Sequence, residues 1–129
     1  MATLAQGGPD VLAHRDSLRY SAPQVVGELV AMLGRKLTAY VGGVKDVRAV
    51  ERWMEGGQMY GDAERRLRLT FQVARMLARD EQPSVVQAWF MGMNPELGDR
   101  SPLRLLRDEP LEKCGPEVLG AARAFLAHG

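Results

Sequence analysis

An all-α fold is what this sequence predicts, and three observations carry the prediction. Apolar residues recur at intervals of three and four along most of the chain, as the 3.6-residue period of a helix requires. The stretches with this period end at glycines, Gly34, Gly42-Gly43 and Gly56-Gly57, and begin where a serine closely precedes a proline, at Ser21-Ala22-Pro23 and Ser101-Pro102. With 46% hydrophobic and 26% charged residues among 129, the chain has ordinary globular composition and fits one domain, or two small ones sharing a core.

Residues 1–20 contain Gly7-Gly8-Pro9 and no sustained stripe, which predicts a flexible leader with at most a short helical turn near Val11 to His14. From Ser21 to Leu33 the residues Val25, Val26, Leu29, Val30 and Leu33 form one broad face, and Gly34 ends that helix. Arg35 to Val41 makes a short second helix that stops at Gly42-Gly43. Lys45-Asp46 then offers a cap for a third, with Val47, Val50 and Met54 in its stripe and Trp53 beside it. Gln58 to Gly61 is a connection. Asp62 is expected to cap the longest helix, which runs to about Arg79. Ala63, Leu67, Thr70, Phe71, Ala74, Leu77 and Ala78 give this helix one apolar face, and Leu69, Val73 and Met76 a second. Covered on two sides, it should bridge both halves of the molecule, and its surplus of apolar positions predicts a homodimer.

After the polar break Asp80 to Pro83, a helix over Ser84 to Met91 carries Val85, Val86, Trp89 and Phe90. It is expected to stop at Gly92 and Asn94, both tolerant of positive φ, before Pro95. Gly98-Asp99 predicts a second turn, and Ser101-Pro102 starts a helix over Leu103 to Arg107. Asp108 to Gly115 reads as another polar connection, with Pro116 opening the last helix, whose stripe is Val118, Leu119, Ala122, Phe125 and Leu126. Met91 and Met93 have the adaptability of core filler or of interface residues.

Composition narrows the function. No apolar run approaches a membrane span, and the N-terminus lacks a secretory pattern. With Cys114 as the one cysteine, no internal disulfide is possible, and a cytoplasmic location is expected. There is no phosphate loop, Cys-x-x-Cys pair, His-x-x-x-His pair or nucleophile elbow, and His14 and His128 stand at opposite ends. Neither enzyme activity, nor a metal, nor a cofactor is expected. The charge is uneven: Arg35 to Arg75 holds nine Lys or Arg against five Asp or Glu, a net +4, and the rest carries −3. A middle section of that sign suits phosphates.

Two stretches resemble known proteins. Leu37 to Gly56 resembles the helix-turn-helix of Xre-type regulators, with Ala39 at the small position, Gly43 in the turn, and Val50 and Trp53 at buried positions of the recognition helix. Its turn is one residue longer than in the simplest version. Trp89, Asn94, Leu97, Gly98, Ser101, Pro102 and Leu105-Leu106 together resemble the toxin-binding domain of the Xre/MbcA/ParS antitoxins, over roughly Arg65 to Gly129. The resemblance implies a leader over 1–20, a helix-turn-helix module over 21–61 and a toxin-binding domain over 62–129. It also implies a RES-domain toxin, consuming NAD or transferring from it, as partner, and operator DNA bound by the complex. The alternative is a stand-alone regulator whose C-terminal helices serve dimerisation.

Within that frame, Lys45, Arg48 and Arg52 are candidate DNA contacts on the third helix, joined by Arg65 and Arg66 at the start of the long one. Arg48 and Arg52 alternate with Glu51 and Glu55, so the same face also reads as a solvated, salt-bridged surface. Leu103, Arg104, Arg107, Phe125 and His128 are the candidate toxin contacts, with Arg104 and Arg107 expected to be exposed beside Leu103 and Leu106. The end from Ala124 to Gly129 is expected to plug the toxin's cleft.

Overall fold

Ser21 shows how closely local chemistry sets the elements. Its hydroxyl accepts from the Gln24 backbone N–H at 3.3 Å, and the Gln24 side chain accepts from the Ser21 N–H at 2.8 Å, a reciprocal capping box that opens a helix. In the computed structural model, which describes residues 8–128, the chain is all-α: eight helices and one short 3₁₀ turn, with no strand among the described residues. The helices are α1 (Pro9–Arg19), α2 (Ala22–Leu33), α3 (Arg35–Gly42), α4 (Val47–Met54), α5 (Ala63–Ala78), α6 (Pro83–Met91), α7 (Pro102–Asp108) and α8 (Leu111–His128). None of them is long and apolar enough to cross a membrane.

α5 is the axis. It packs against α1, α2, α3, α6, α7 and α8, and Leu67, Phe71, Val73, Ala74 and Leu77 lose all solvent contact. Both apolar faces read from the sequence are thus covered within one chain, and the surplus that argued for a homodimer is absorbed. Much of that covering comes from α1, in place of the expected flexible leader. Ala13 and Ser17 are buried there, small enough to let the two helices approach closely, while Val11 and Leu18 point to solvent. A helix that docks through Ala and Ser has no large apolar stripe, which is why the pattern did not reveal it. Residues 1–7 of that leader, and Gly129 at the expected plug, lie outside the described residues.

Other boundaries moved for identifiable reasons. Asp62 precedes α5, but its side chain makes no cap hydrogen bond and pairs with Arg65 at 3.3 Å instead. Gly92 and Asn94 keep negative φ, and the left-handed pair is Gly98 and Asp99, at 65° and 63°. The last helix starts at Leu111, so Asp108 to Gly115 is no connection and Pro116 lies inside α8. Proline disfavours helical φ/ψ in the residue before it by crowding that residue's Cβ, and here that residue is Gly115. A Cβ on Gly115 would also come within 3.3 Å of Leu69 on α5, so one glycine serves both the proline and the helix contact.

Gly42 ends α3 against the Trp53 ring, with no room for a side chain: a Cβ there would sit 2.7 Å from the ring, which is 5% exposed and cannot swing away. Gly42→Ala should therefore destabilise the protein by about 1–3 kcal/mol, an overpacking cost. Gly27, inside α2 with open space around its Cβ position, should behave oppositely, Gly27→Ala gaining up to about 1 kcal/mol from helix propensity. Urea denaturation of the two variants checks both signs.

Candidate functional site

Two surfaces gather the candidate residues. The first is built on α3, α4 and the turn between them. Gly43 closes α3 in the left-handed region, and Asp46 opens α4, one carboxylate oxygen accepting from the Arg48 backbone N–H at 2.8 Å. The other oxygen accepts from Arg48 Nε at 2.9 Å and Nη2 at 2.7 Å. These side-chain hydrogen bonds, with the backbone bond next in importance, hold the Asp46 carboxyl down at about 2 and raise the Arg48 guanidinium above its ordinary value. Ala49, Val50 and Trp53 face the core, leaving Arg48, Glu51, Arg52 and Glu55 outward. Arg35 at the start of α3 donates to Glu51 at 3.2 Å, which reduces the negative charge on that face. Lys45 and Arg52 have no ion-pair partner among the described residues.

Arg65 and Arg66, assigned to DNA on sequence grounds, are committed elsewhere. Arg65 pairs with Asp62 and, at 2.7 Å, with Glu112 of α8, lowering the Glu112 carboxyl below its usual range. Arg66 is half-buried, its Nη1 donating to the Leu106 carbonyl at 2.7 Å and the Glu109 carbonyl at 3.2 Å. Arg68 likewise donates to the carbonyls of Ser17 and Tyr20, at 2.6 and 2.9 Å, and pairs with Glu64. The arginine cluster at the start of α5 is thus engaged within the fold, Arg66 and Arg68 through backbone carbonyls and Arg65, its side chain 56% exposed, through two surface ion pairs.

The second surface lies where α6, the 94–100 turn and the end of α8 meet. Asn94 ties the turn together. Its side chain accepts from the Glu96 N–H at 2.9 Å, its carbonyl from the Leu97 and Asp99 N–H groups, both at 2.9 Å, and its own N–H donates to Arg100. Leu97 anchors the turn in the core, and Ser101 caps α7 by accepting from the Arg104 N–H at 3.2 Å. Beside the turn is a cleft of about 330 Å³ lined by Ala88, Trp89, Met93, Asn94, Phe125 and His128 among others. Trp89 packs edge-on to Phe90 with only 9% of its surface exposed, whereas Met93 is 80% exposed.

The toxin candidates are thus divided. Phe125 and His128 share the cleft with the motif residues Trp89 and Asn94. Leu103 is buried, as are Leu105, Leu106 and Pro102, so Leu103 closes the core and is no surface contact. Arg104 is open to solvent, 3.9 Å from Asp108. Arg107 is only about one-third exposed and lies over the Tyr40 ring, 4.3 Å from its centre, which carries it to the α3–α4 surface. Met93, read from the sequence as core filler or an interface residue, is at the surface, and sequence spacing did not flag Lys36 or Tyr40 as site residues. Lys36 and Tyr40 stand one turn apart on α3, but only the long-range contact with α7 gives them a common neighbour.

Among the described residues, no group of three or more His, Cys, Asp and Glu is placed to hold a metal ion. Cys114 is buried, and that burial pushes its thiol above the usual range, away from the reactive thiolate. No protein-family model, curated protein or solved structure matches the chain.

The Asp46 carboxyl should titrate near 2 by carbon-detected NMR, and Arg48→Ala should return it toward 3.8. Because the folded value is depressed, whatever stability the pair contributes is present above the unfolded value and fades as pH falls through about 2.

Proposed function

We propose that this chain is an antitoxin of a type II toxin–antitoxin pair, similar to the Xre/MbcA/ParS antitoxins. It blocks a RES-domain toxin that consumes NAD or transfers ADP-ribose from it, and it binds operator DNA to regulate their expression in the cytoplasm. One observation carries the reading: Trp89 and Asn94, which carry the family resemblance, line the same solvent-open apolar cleft as Phe125 and His128. Met93, a flexible thioether left exposed on a tightly hydrogen-bonded turn, supplies adaptable contact area, and the turn's rigidity reduces the ordering cost of docking. The cationic α3–α4 face, with Lys45, Arg48 and Arg52 outward, supports the DNA-binding half of the reading through a helix-turn-helix in which α4 is the recognition helix.

Co-expression with the toxin encoded beside this gene tests the proposal. A truncation after Arg123, Phe125→Asp and Met93→Asp should each lose protection and weaken toxin binding at least about tenfold, roughly 1.4 kcal/mol. Circular dichroism should show them folded, and operator retention should be unchanged. Folded variants that protect as well as the parent would remove the cleft as the docking surface. Failure of the parent chain itself to bind any such toxin would leave the stand-alone regulator.

A further inference from the structure

The α3–α4 surface continues into a groove that only the packing of α7 on α3 brings together. About 630 Å³ in volume, it is walled by Ala39, Tyr40, Val44 and Val47, and its charged lining consists of Lys36, Lys45, Asp46 and Arg107. Both oxygens of Asp46 are occupied by Arg48, one by the backbone N–H and one by the guanidinium. Lys36 and Lys45 have neither an ion pair nor a side-chain hydrogen bond among the described residues. Arg107 is held flat over Tyr40, an arrangement that fixes the guanidinium plane while leaving edge N–H groups beyond its 3.5 Å contact with Asp108. Three cations from three separate segments therefore converge on one concavity, and its acid is already paired.

We propose that this groove holds a backbone phosphate of duplex DNA, so that Arg107 of α7 and the lysines of α3 and the following turn grip the same strand whose groove α4 enters. The chemistry is phosphate recognition, and two features favour a polyanion over a free nucleotide. Beyond the groove the outward face of α4 adds Arg48 and Arg52, one turn apart. Glu51 and Glu55 alternate with them, but Glu51 is paired with Arg35 and Arg48 with Asp46, so Arg52 is the cation without an ion pair among the described residues that extends the line. A phosphodiester backbone also places charges at regular intervals along such a surface, where a single small anion would use one point of it. The proposal rests on the DNA-binding part of the function given above and deepens it: α7, assigned by sequence to the toxin, contributes to the operator face.

The experiment is fluorescence anisotropy of the full chain with an end-labelled duplex from immediately upstream of its gene, over a salt series, with ATP and inorganic pyrophosphate as separate competitors. Each lost phosphate contact lowers the slope of log K against log salt by about 0.9. The double variant Lys36→Gln, Lys45→Gln should therefore lose about 2 from the slope, and Arg107→Gln about 1. Arg79→Gln, exposed at the end of α5, should keep the parent slope. A parent-like slope in the folded double variant overturns the groove while leaving the antitoxin reading intact, because toxin co-purification is scored independently. Binding of ATP or pyrophosphate, lost in the double variant, with no binding of duplex by the parent, overturns the DNA assignment and gives the groove to a free phosphate ligand. Absence of binding to all three probes overturns it as well.

Discussion

Two arginines two residues apart on α5 hold the ends of the molecule together. Positions i and i+2 on a helix point about 200° apart, so Arg66 and Arg68 reach out on opposite sides of the axis. Arg66 donates to the carbonyls of Leu106 and Glu109 at the end of α7; Arg68 donates to those of Ser17 and Tyr20 at the end of α1. The last carbonyls of a helix have no partner within it and carry the negative end of its dipole, so a guanidinium is well matched to them. Each such bond to a charged donor is worth about 1.5–3 kcal/mol when partly shielded from water. Three arginines near the N-terminus of α5 work against that helix's own dipole. The cost is a few tenths of a kcal/mol or so per group, smaller than what they contribute to its neighbours.

Arg75, two turns further along, reinforces the α1 side. It pairs with Asp16 at 2.6 Å and Glu28 at 3.7 Å while lying 5.6 Å from the ring centres of both Tyr20 and Phe71. Because α5 is shared in this way, elements on both sides of the division at residue 61 that the family resemblance implies pack on one axis. A fragment beginning at Asp62 would keep α5 but strip α1, α2 and α3 from it, exposing side chains such as Phe71 and Val73 that now have no solvent contact. The cationic face and the apolar cleft instead sit on one frame. A ligand at either surface meets a geometry already fixed by the same axis, which reduces the entropy lost on binding.

Most elements were legible because their signals are local. The Ser21 and Ser101 caps, the glycine that closes α3 and the two apolar faces of α5 each follow from residues within a few positions of one another. What was not legible depends on partners far along the chain. α1 docks through Ala13 and Ser17 and is held by arginines about fifty residues away, so its own sequence looks like a leader. Leu103 and Arg107 were placed by assuming that α7 shows one face to solvent, but packing on α3, α6 and α8 turns the leucine inward and the arginine toward Tyr40. The start of α8 was missed because Pro116 is a strong start signal in isolation, whereas the glycine before it tolerates the proline inside the helix.

The claim that α5 makes one cooperative body of both halves is tested most directly by urea unfolding with one tryptophan in each half. Trp53 on α4 and Trp89 on α6 are the chain's two tryptophans. In a Trp89→Phe variant, Trp53 fluorescence reports the first half; in Trp53→Phe, Trp89 reports the second. Helical circular dichroism provides the whole-molecule reference in each case. The account predicts that fluorescence and circular dichroism coincide within each variant, with a single midpoint and a single slope, as two-state unfolding requires. A fluorescence transition in either variant that separates from the loss of helix would contradict it, and would show that the halves melt as independent units.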